Sequence, residues 1–477
     1  MTLPPAFARG ARRADAPQRA HYGRIFDVAC CPWDDSLFAT AGEDETARVW
    51  RDDSRSSGGS GIASHGVCRG HKDEVVRVAW HPTMRILASG SADGAVAVWK
   101  VAPSGAERAA SAHDPDEAAV ARVDVLGPHP GEVYGCSFVG DGEGGGPMLA
   151  TAAGTDLRLW DLEAAVEVAR VPPLRAAKEP EGREPDETKT VSGPASRKTP
   201  DRWEPGFLFS LSGDGGARGL LASACSDGTV KLWGLDANAR AATAVASVAS
   251  HPNALATATA FLPCGNLLAS AGSDGRVVVC DVRRSCRAVR RITPPCVATG
   301  LCAVKAPRTS SFRERDSESE ASDAESDAES DAATAAKEKA TPGGYLLMSG
   351  RDGVVRAVRG EGAGPSAALS SFRETTSSVT PLLCVASDRD GARVFAAGNT
   401  RERGNEVPES VKTNESGPTS GPTSGPFGVS PGPFGFVRRN GNLGALGAAG
   451  GAKPRAEPAE IFVWDALLSA EGEDEDT

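Results

Sequence analysis

One pattern of apolar and polar positions recurs along most of the chain. It has an apolar run, a small or hydroxyl residue, an Asp-centred turn, and a second run that alternates with period two and ends in a larger side chain. Clear copies are LFATAGEDETARVW at 37–50, LASGSADGAVAVW at 87–99, LLASACSDGTVKLW at 220–233 and LLASAGSDGRVVVC at 267–280. Period-two alternation is typical of strands, and Asp-Gly between two such runs is a strong hairpin signal. Each copy therefore predicts a β-hairpin.

A further strand precedes several of these hairpins, with proline in the connecting turn. The clearest examples lie within 24–40, 74–89 and 255–270. Weaker copies of the unit occupy 132–161, 344–358 and 381–398, and the last of them is completed by EIFVWD at 460–465. Together these make seven units, and self-similarity at a period of tens of residues is the signature of a repeat fold.

The spacing between units is uneven, which predicts three insertions into a single repeat domain over 21–467. The insertions are 164–202, 307–342 and 400–458, and their low content of branched apolar residues predicts disorder. Residues 1–20 form a lead-in and 468–477 an acidic tail. Such insertions are tolerated because the free energy of loop closure grows only with the logarithm of length.

The second unit carries Gly70-His71, Ser89, Asp93 and Trp99. In these residues it resembles the WD40-repeat family, in which each unit folds as one blade of a β-propeller. The resemblance implies an all-β, seven-bladed propeller. It also implies a hydrogen-bonded chain in each blade that runs from Trp through Ser or Thr and His to Asp.

The other units keep parts of this set. The matching positions are His21, Thr40, Asp44 and Trp50 in the first unit, His129, Thr151 and Trp160 in the third, Ser223, Asp227 and Trp233 in the fourth, His251, Ser270 and Asp274 in the fifth, Ser349 and Asp352 in the sixth, and Trp464 in the seventh. In the family, an N-terminal strand closes the last blade. Residues 10–20 make a poor strand, so we expect a weakly closed or frayed seventh blade.

Composition narrows the compartment and the partners. The eleven cysteines form no C-x-x-C pair, which predicts buried free thiols in an intracellular, cytoplasmic or nuclear protein. The first thirteen residues lack acids and weakly resemble a transit peptide, so organelle targeting stays open. No apolar run reaches the roughly 18 residues of a membrane span. The net charge of −11 comes largely from acids in 316–331 and 471–477, and no basic face for nucleic acid is visible.

The sequence predicts neither an enzyme nor a resident cofactor or metal. The histidines at the repeat positions are expected to be structural, and none is spaced with Cys or carboxylates as metal ligands are. His81 precedes Pro82 in a turn, where we expect it to be exposed. The glycine-rich segment 140–145 lies between two predicted strands, whereas a dinucleotide site needs it between a strand and a helix.

The favoured function is a protein–protein interaction scaffold within a multiprotein complex, whose partners are proteins or peptides. Candidate contact residues are Arg24, Asp73 and Arg77, which lie early in their units. An enzyme on a propeller scaffold is the less favoured alternative.

Two further features suggest partners. Receptors of cullin-4 ubiquitin ligases carry Trp-Asp-x-Arg after a third strand. Cys280-Asp281-Val282-Arg283 matches this motif at Asp281 and Arg283, which makes a ligase adaptor an alternative partner. In the acidic tract, Ser317, Ser322 and Ser326 each have an acid three residues later, the spacing that acidophilic kinases accept. Phosphorylation there would favour a basic partner.

Overall fold

Each predicted hairpin lies within a four-stranded antiparallel sheet, and seven such sheets form the computed structural model of the chain. The structure describes residues 12–13, 21–53, 61–103, 119–139, 147–171, 206–214, 219–236, 241–284, 286–304, 344–359, 370–373, 381–389, 391, 393–398 and 461–465. The predicted seven-bladed, all-β propeller is confirmed.

Six of the seven sheets contain four strands that are consecutive in the chain. The first strand is β1 (Arg12–Arg13), which belongs to the last blade. Blade 1 contains β2 (Ile25–Cys30), β3 (Leu37–Gly42), β4 (Ala47–Asp52) and β5 (Ile62–Cys68). Blade 2 contains β6 (Val75–Trp80), β7 (Ile86–Ser91), β8 (Val96–Val101) and β9 (Val120–Leu126). Blade 3 contains β10 (Val133–Val139), β11 (Met148–Ala153), β12 (Asp156–Asp161) and β13 (Val166–Val171).

The later blades follow the same order. Blade 4 contains β14 (Leu208–Gly213), β15 (Leu220–Cys225), β16 (Thr229–Asp236) and β17 (Ala241–Ala249). Blade 5 contains β18 (Ala256–Phe261), β19 (Leu267–Gly272), β20 (Val277–Asp281) and β21 (Arg287–Ile292), with a 3-10 turn at Val282–Arg284. Blade 6 contains β22 (Ala298–Val304), β23 (Tyr345–Gly350), β24 (Val354–Arg359) and β25 (Ser370–Arg373). Blade 7 contains β26 (Leu382–Ser387), β27 (Arg393–Gly398) and β28 (Ile461–Asp465), with β1 as its outer strand.

The hydrophobic core lies between blades. Seven clusters of buried apolar side chains occur among the described residues, and each cluster takes its members from two neighbouring blades. One cluster joins blade 7 to blade 1, where the rings of Phe38 and Phe395 lie 4.7 Å apart. Burial of apolar surface is the main favourable term in folding, so each blade depends on both of its neighbours.

An N-terminal strand is the outer strand of blade 7. Among the described residues, β1 pairs with β28 at Arg12↔Val463 and Arg13↔Phe462. A cluster of buried apolar side chains packs the seam between blades 7 and 1, as at the other seams. The weak or frayed closure expected for blade 7 stays a prediction.

The predicted start of the first insertion, at residue 164, is too early. The strand β13 occupies Val166–Val171 and completes blade 3. Its sequence VEVARV has strand-forming valines, but the segment that follows is charged, and so the whole stretch was predicted to be an insertion. The predicted insertions 307–342 and 400–458 lie outside the described residues. No helix among the described residues is long and apolar enough to cross a membrane.

Candidate binding surfaces of the ring

The repeat positions form hydrogen-bonded chains inside blades 1 and 2. In blade 1, Trp50 Nε1 donates to Thr40 Oγ1 over 2.8 Å, and that oxygen lies 2.7 Å from His21 Nε2. The other ring nitrogen of His21 lies 2.8 Å from the Asp44 carboxylate. In blade 2 the same chain joins Trp99, Ser89, His71 and Asp93, with distances of 2.8, 2.8 and 3.2 Å.

The chain of blade 1 is compatible with a neutral His21. Thr40 Oγ1 accepts from Trp50 and can donate its own proton to His21 Nε2, so that Nδ1–H of His21 donates to Asp44. This arrangement requires a neutral imidazole. Burial lowers the pKa of His21 despite the neighbouring Asp44, and a neutral ring is the consistent result. These histidines hold a turn in place and have no free nitrogen with which to act as a base.

The remaining blades keep part of the chain. In blade 5, His251 bonds Ser270 and Asp274 over 2.9 and 3.1 Å, while Cys280 occupies the Trp position. In blade 3, the turn lacks Asp, and His129 Nδ1 lies 2.9 Å from the Gly94 carbonyl oxygen of blade 2.

The other partial chains are shorter. In blade 3, Thr151 bonds both His129 and Trp160 at 2.9 Å. In blade 4, Trp233 donates to Ser223 over 3.1 Å, and Asp227 accepts from the backbone of Thr229. In blade 6, Ser349 lies 3.1 Å from the Thr299 hydroxyl, and Asp352 pairs with Arg356. Trp464 of blade 7 pairs with Val394 in the sheet.

The serines of blades 2 and 4 provide a graded test of these chains. Ser89→Ala leaves both Trp99 Nε1 and His71 Nε2 without their partner. Ser223→Ala removes the partner of Trp233 Nε1 and a weak 3.9 Å contact with Cys225 Sγ. Since an unsatisfied buried group costs about 1–3 kcal/mol, Ser89→Ala should lower the free energy of unfolding by about 2–3 kcal/mol and Ser223→Ala by about 1 kcal/mol. Urea unfolding measures both. Equal losses would contradict the assignment of His71 to the chain.

The structure corrects the expected exposure of His81, which is completely buried. Its Nδ1 accepts hydrogen bonds from the backbone N–H groups of Thr83 and Met84, over 3.2 and 2.9 Å. The ring also packs edge-on against Phe138. A turn histidine that accepts from its own turn can be buried neutral, and the Pro82 signal alone did not show this. Within the described ranges, no three His, Cys, Asp or Glu side chains are grouped to hold a metal ion.

The ring has two faces that the antiparallel strand order defines. The turns between second and third strands, at Asp44, Asp93, Asp227, Asp274 and Asp352, lie on one face, which we call the Asp-turn face. The segments that precede each innermost strand lie there too. The turns between first and second strands, and between third and fourth strands, lie on the opposite face.

Five charged residues surround the inner strands of blades 1 to 3 on the Asp-turn face. This inner rim consists of Arg24, Glu43, Asp73, Glu74 and Glu132. The guanidinium of Arg24 donates to Glu43 over 3.0 Å and lies 3.9 Å from Glu74 of the next blade. Arg24 thus contacts two of the four carboxyl groups, and Asp73 is exposed next to the exposed Lys72. The inner rim is an acidic surface.

The inner rim holds a carboxyl group with a shifted pKa. Burial and the neighbouring carboxylates of Glu43, Asp73 and Glu132 raise the pKa of Glu74 to about 7, although Arg24 opposes the shift. The folded state therefore keeps a proton between about pH 4.5 and pH 7 that the unfolded chain has released. The free energy of unfolding consequently falls as pH rises through this window.

Glu74→Gln should remove this pH dependence. The variant should unfold at a higher urea concentration than the parent at pH 8, where the parent carries the charge, and at a similar concentration near pH 4.5. Glu163→Gln, at an exposed turn of the opposite face, is the control and should shift the midpoint equally at both pH values. A Glu74→Gln midpoint that follows the parent at both pH values would contradict the shifted pKa.

Arg77 lies deeper than its predicted role as a contact implied. It projects from β6 into a channel of about 390 Å³ that the innermost strands line. Its Nε donates to the Tyr134 carbonyl oxygen over 2.7 Å, its Nη2 to that of Phe209 over 3.3 Å, and its Nη1 lies 3.4 Å from Asp27. One guanidinium therefore ties blades 1, 2, 3 and 4 together.

The Asp281 and Arg283 pair lies on the opposite face, in the turn between the third and fourth strands of blade 5. Asp281 is buried and accepts from the Arg283 backbone N–H over 2.9 Å and from its guanidinium over 3.0 and 3.1 Å. The Arg283 side chain is half exposed. The hypothetical ligase contacts and the inner rim are thus on different faces. Ser317, Ser322 and Ser326 lie outside the described residues.

Comparisons with known proteins agree with this architecture. A family model described as "WD domain, G-beta repeat" matches residues 17–51, 63–100, 207–234 and 242–281, which fall on blades 1, 2, 4 and 5. Among curated proteins, the chain is similar to the "Probable cytosolic iron-sulfur protein assembly protein Ciao1" of Culex quinquefasciatus, with 40% identity over 79 residues. The match spans 17% of this chain and 22% of the length of that relative.

Proposed function

Because the chain is a WD40-repeat β-propeller, we propose that it is a non-catalytic scaffold for protein–protein interaction within a multiprotein complex. The proposal depends on where the polar residues of the ring lie, because one group is bonded inside the blades and another is at the surface. In blades 1, 2 and 5, the repeat histidine and aspartate that could serve acid–base chemistry are bonded to each other inside the blade. The inner rim instead presents charged groups to a partner.

The inner rim favours a partner segment that is rich in lysine or arginine. Its carboxyl groups outnumber its one guanidinium, and complementary charge steers association and selects partners. Protonation of Glu74 reduces this negative charge near neutral pH. Binding through the inner rim should therefore strengthen as pH rises from 6 to 8 and weaken with added salt.

Affinity purification of the full chain tests the proposal. A rim variant, Glu43→Gln with Asp73→Asn, should lose proteins that the parent retains. A control variant with Glu163→Gln on the opposite face should retain them. Cross-linking and mass spectrometry should place the retained protein on blades 1 to 3. Identical protein sets for the parent and the rim variant would contradict binding at this surface.

A substrate receptor for a cullin-4 type ubiquitin ligase is the second candidate. The Asp281–Arg283 pair supports it, since Arg283 is held in a fixed geometry by Asp281 and remains half exposed. Pull-down of the ligase adaptor should be abolished by Arg283→Ala and retained by Arg284→Ala, which changes a neighbouring exposed arginine. Failure of the parent chain to retain the adaptor would remove this candidate.

The cysteines bear on the compartment of the protein. All eleven cysteines lie in the described ranges as free thiols, and this supports a reducing, intracellular location. The similarity to the iron–sulfur assembly protein covers 79 residues, fewer than two blades of about 40–45 residues each. Because units of this length resemble one another across the whole repeat class, the match supports the fold and does not select that pathway.

A further inference from the structure

Blade 5 carries an excess of arginine along its outer side. We call this surface the arginine edge, and its members are Arg283, Arg284, Arg287, Arg290 and Arg291, which lie in the turn before β21 and on β21 itself. The only acid between residues 276 and 292 is Asp281. The guanidinium of Arg283 pairs with Asp281, and Arg284 lies 3.8 Å from the same carboxylate. Asp281 thus contacts two of the arginines, and the segment has a net positive charge.

Most of the arginine edge faces solvent. The Arg284 side chain is 73% exposed and that of Arg283 is 51% exposed. Arg287 and Arg291 are exposed on β21, and Val289 between them is 58% exposed. Long cationic side chains in water stay available for a partner with opposite charge, and the exposed valine adds an apolar contact between them.

The arginine edge is also the free side of a sheet. The order of blade 5 is β18-β19-β20-β21, so β21 is its outermost strand. An edge strand directs N–H and C=O groups away from its sheet, and an extended peptide can pair with them as a further strand. Within the blade, β21 pairs with β20 from Asp281↔Arg287 to Val277↔Ile292, with a shift of register at Val289 between the pairs Cys280↔Ala288 and Val279↔Arg290.

Charged residues on an edge strand sometimes have no role beyond preventing aggregation. The outer strands of the other blades do not favour that explanation for β21. The outer strand of blade 4, β17, contains no charged residue. In β9 and β13, Arg122 is accompanied by Asp124 and Arg170 by Glu167. The two described residues of β1, the outer strand of blade 7, are also arginines. Among the outer strands of blades 2 to 5, however, β21 combines three arginines with no acid, so edge protection in these blades does not require that composition.

We propose that the arginine edge binds an extended acidic peptide of a partner protein, which adds a fifth strand to blade 5. This inference deepens the proposed scaffold function by a second surface, opposite in charge to the inner rim. Carboxylates of the peptide pair with the guanidinium groups, and its backbone completes the free ladder of β21. A nucleic acid could satisfy the charge but has no amide ladder, so the edge geometry favours a peptide.

Fluorescence anisotropy with the full chain tests this binding. The probe is a labelled twelve-residue peptide in which glutamate and threonine alternate. The parent should bind it, and Arg287→Glu with Arg291→Glu should weaken the binding at least about tenfold. Arg122→Glu, on the exposed outer strand of blade 2, is the matched control and should bind like the parent. An unchanged affinity in the double variant would overturn the proposal.

A second probe tests strand addition without altering the protein. The same peptide, methylated on alternate backbone nitrogens, keeps every carboxylate but cannot complete a ladder. It should lose binding to the parent, and equal binding of both peptides would overturn strand addition. Tighter binding of a twelve-nucleotide single-stranded DNA than of the peptide would likewise overturn the choice of a peptide.

The acidic tract of the chain itself is the competing occupant. A full-length variant in which the eight acids of 316–331 are replaced by their amides should bind the probe like the parent. Binding that appears only in this variant would assign the edge to the tract and overturn the partner peptide. The rim variant Glu43→Gln with Asp73→Asn should also bind the probe normally, so failure at the inner rim and failure at the arginine edge are distinguishable.

Discussion

Arg393→Ala should lower the free energy of unfolding by about 3–5 kcal/mol, because it leaves two buried carboxylates without their shared cation. Arg393 begins β27 in blade 7, and its side chain is 2% exposed. Its Nη1 lies 3.2 Å from Asp52 of blade 1 and its Nε 3.2 Å from Asp388. The guanidinium also donates to the Asp35 carbonyl oxygen. This cluster joins the last blade to the first.

The electrostatics of the cluster agree with this role. Burial by itself would lower the pKa of Arg393, but Asp388 and Asp52 outweigh it and raise the pKa above its ordinary value. The arginine is therefore charged in the folded state at every pH where the protein is stable. Arg393→Ala removes the cation that the Asp52 and Asp388 carboxylates share, while the backbone N–H of residue 393 can still donate to Asp388.

The control is Arg51→Ala at the residue before Asp52. It breaks an ion pair with Asp53 that is more exposed than the Arg393 cluster. Exposed pairs contribute about 0–1 kcal/mol, so the control should unfold close to the parent. Urea unfolding gives both values, and hydrogen exchange at β28 should increase in Arg393→Ala and not in Arg51→Ala. Similar losses in both variants would show that the Arg393 cluster does not hold the ring closed.

Gly228→Ala should be nearly as damaging, with a loss of about 3–4 kcal/mol in the free energy of unfolding. Gly228 has a φ of +77°, in the left-handed region that costs other residues about 1–2 kcal/mol. A Cβ atom there would also lie closer than 3.0 Å to the carbonyl oxygens of His251 and Ala254 in the next blade. These are backbone atoms, so the clash forces the blades apart and adds about 1–3 kcal/mol.

The corresponding glycine of blade 5 separates the two causes. Gly275 has a φ of +74°, but the nearest atom to its Cβ position is a valine methyl group at 4.0 Å. Gly275→Ala should therefore cost only the conformational part, about 1–2 kcal/mol. Thermal or urea unfolding of the two variants measures the difference. Equal losses would mean that the contact of the blade 4 turn with blade 5 contributes little.

Much of the fold could be predicted from local pattern. The alternation before Trp50, Trp99 and Trp233, together with the Asp turns, is sufficient to predict strands and hairpins, and these are confirmed. The family resemblance extended seven such units into a ring, which is also confirmed. The outer strands were harder to predict. β17 has small residues and no aromatic end, and β13 begins a charged segment.

The candidate surfaces were predicted less completely. Arg24 and Asp73 were expected early in their units, and the structure places both on the inner rim. Arg77 had the same sequence signal but bonds other blades inside the channel. Neither the raised pKa of Glu74 nor the arginine edge follows from motifs, because both depend on charges that different strands bring together.

The sequence by itself determined the hairpins of the clear repeats and their turn glycines, and its resemblance to the repeat family indicated the residues that bond within blades 1 and 2, because these depend on neighbours within a few tens of residues. Only the tertiary structure decided how the ring closes. Asp52 and Arg393 are 341 residues apart, and Gly94, Gly228 and Gly275 share one local motif with different surroundings. Contacts between blades depend on the curvature that all seven sheets adopt together, and no single repeat encodes that curvature.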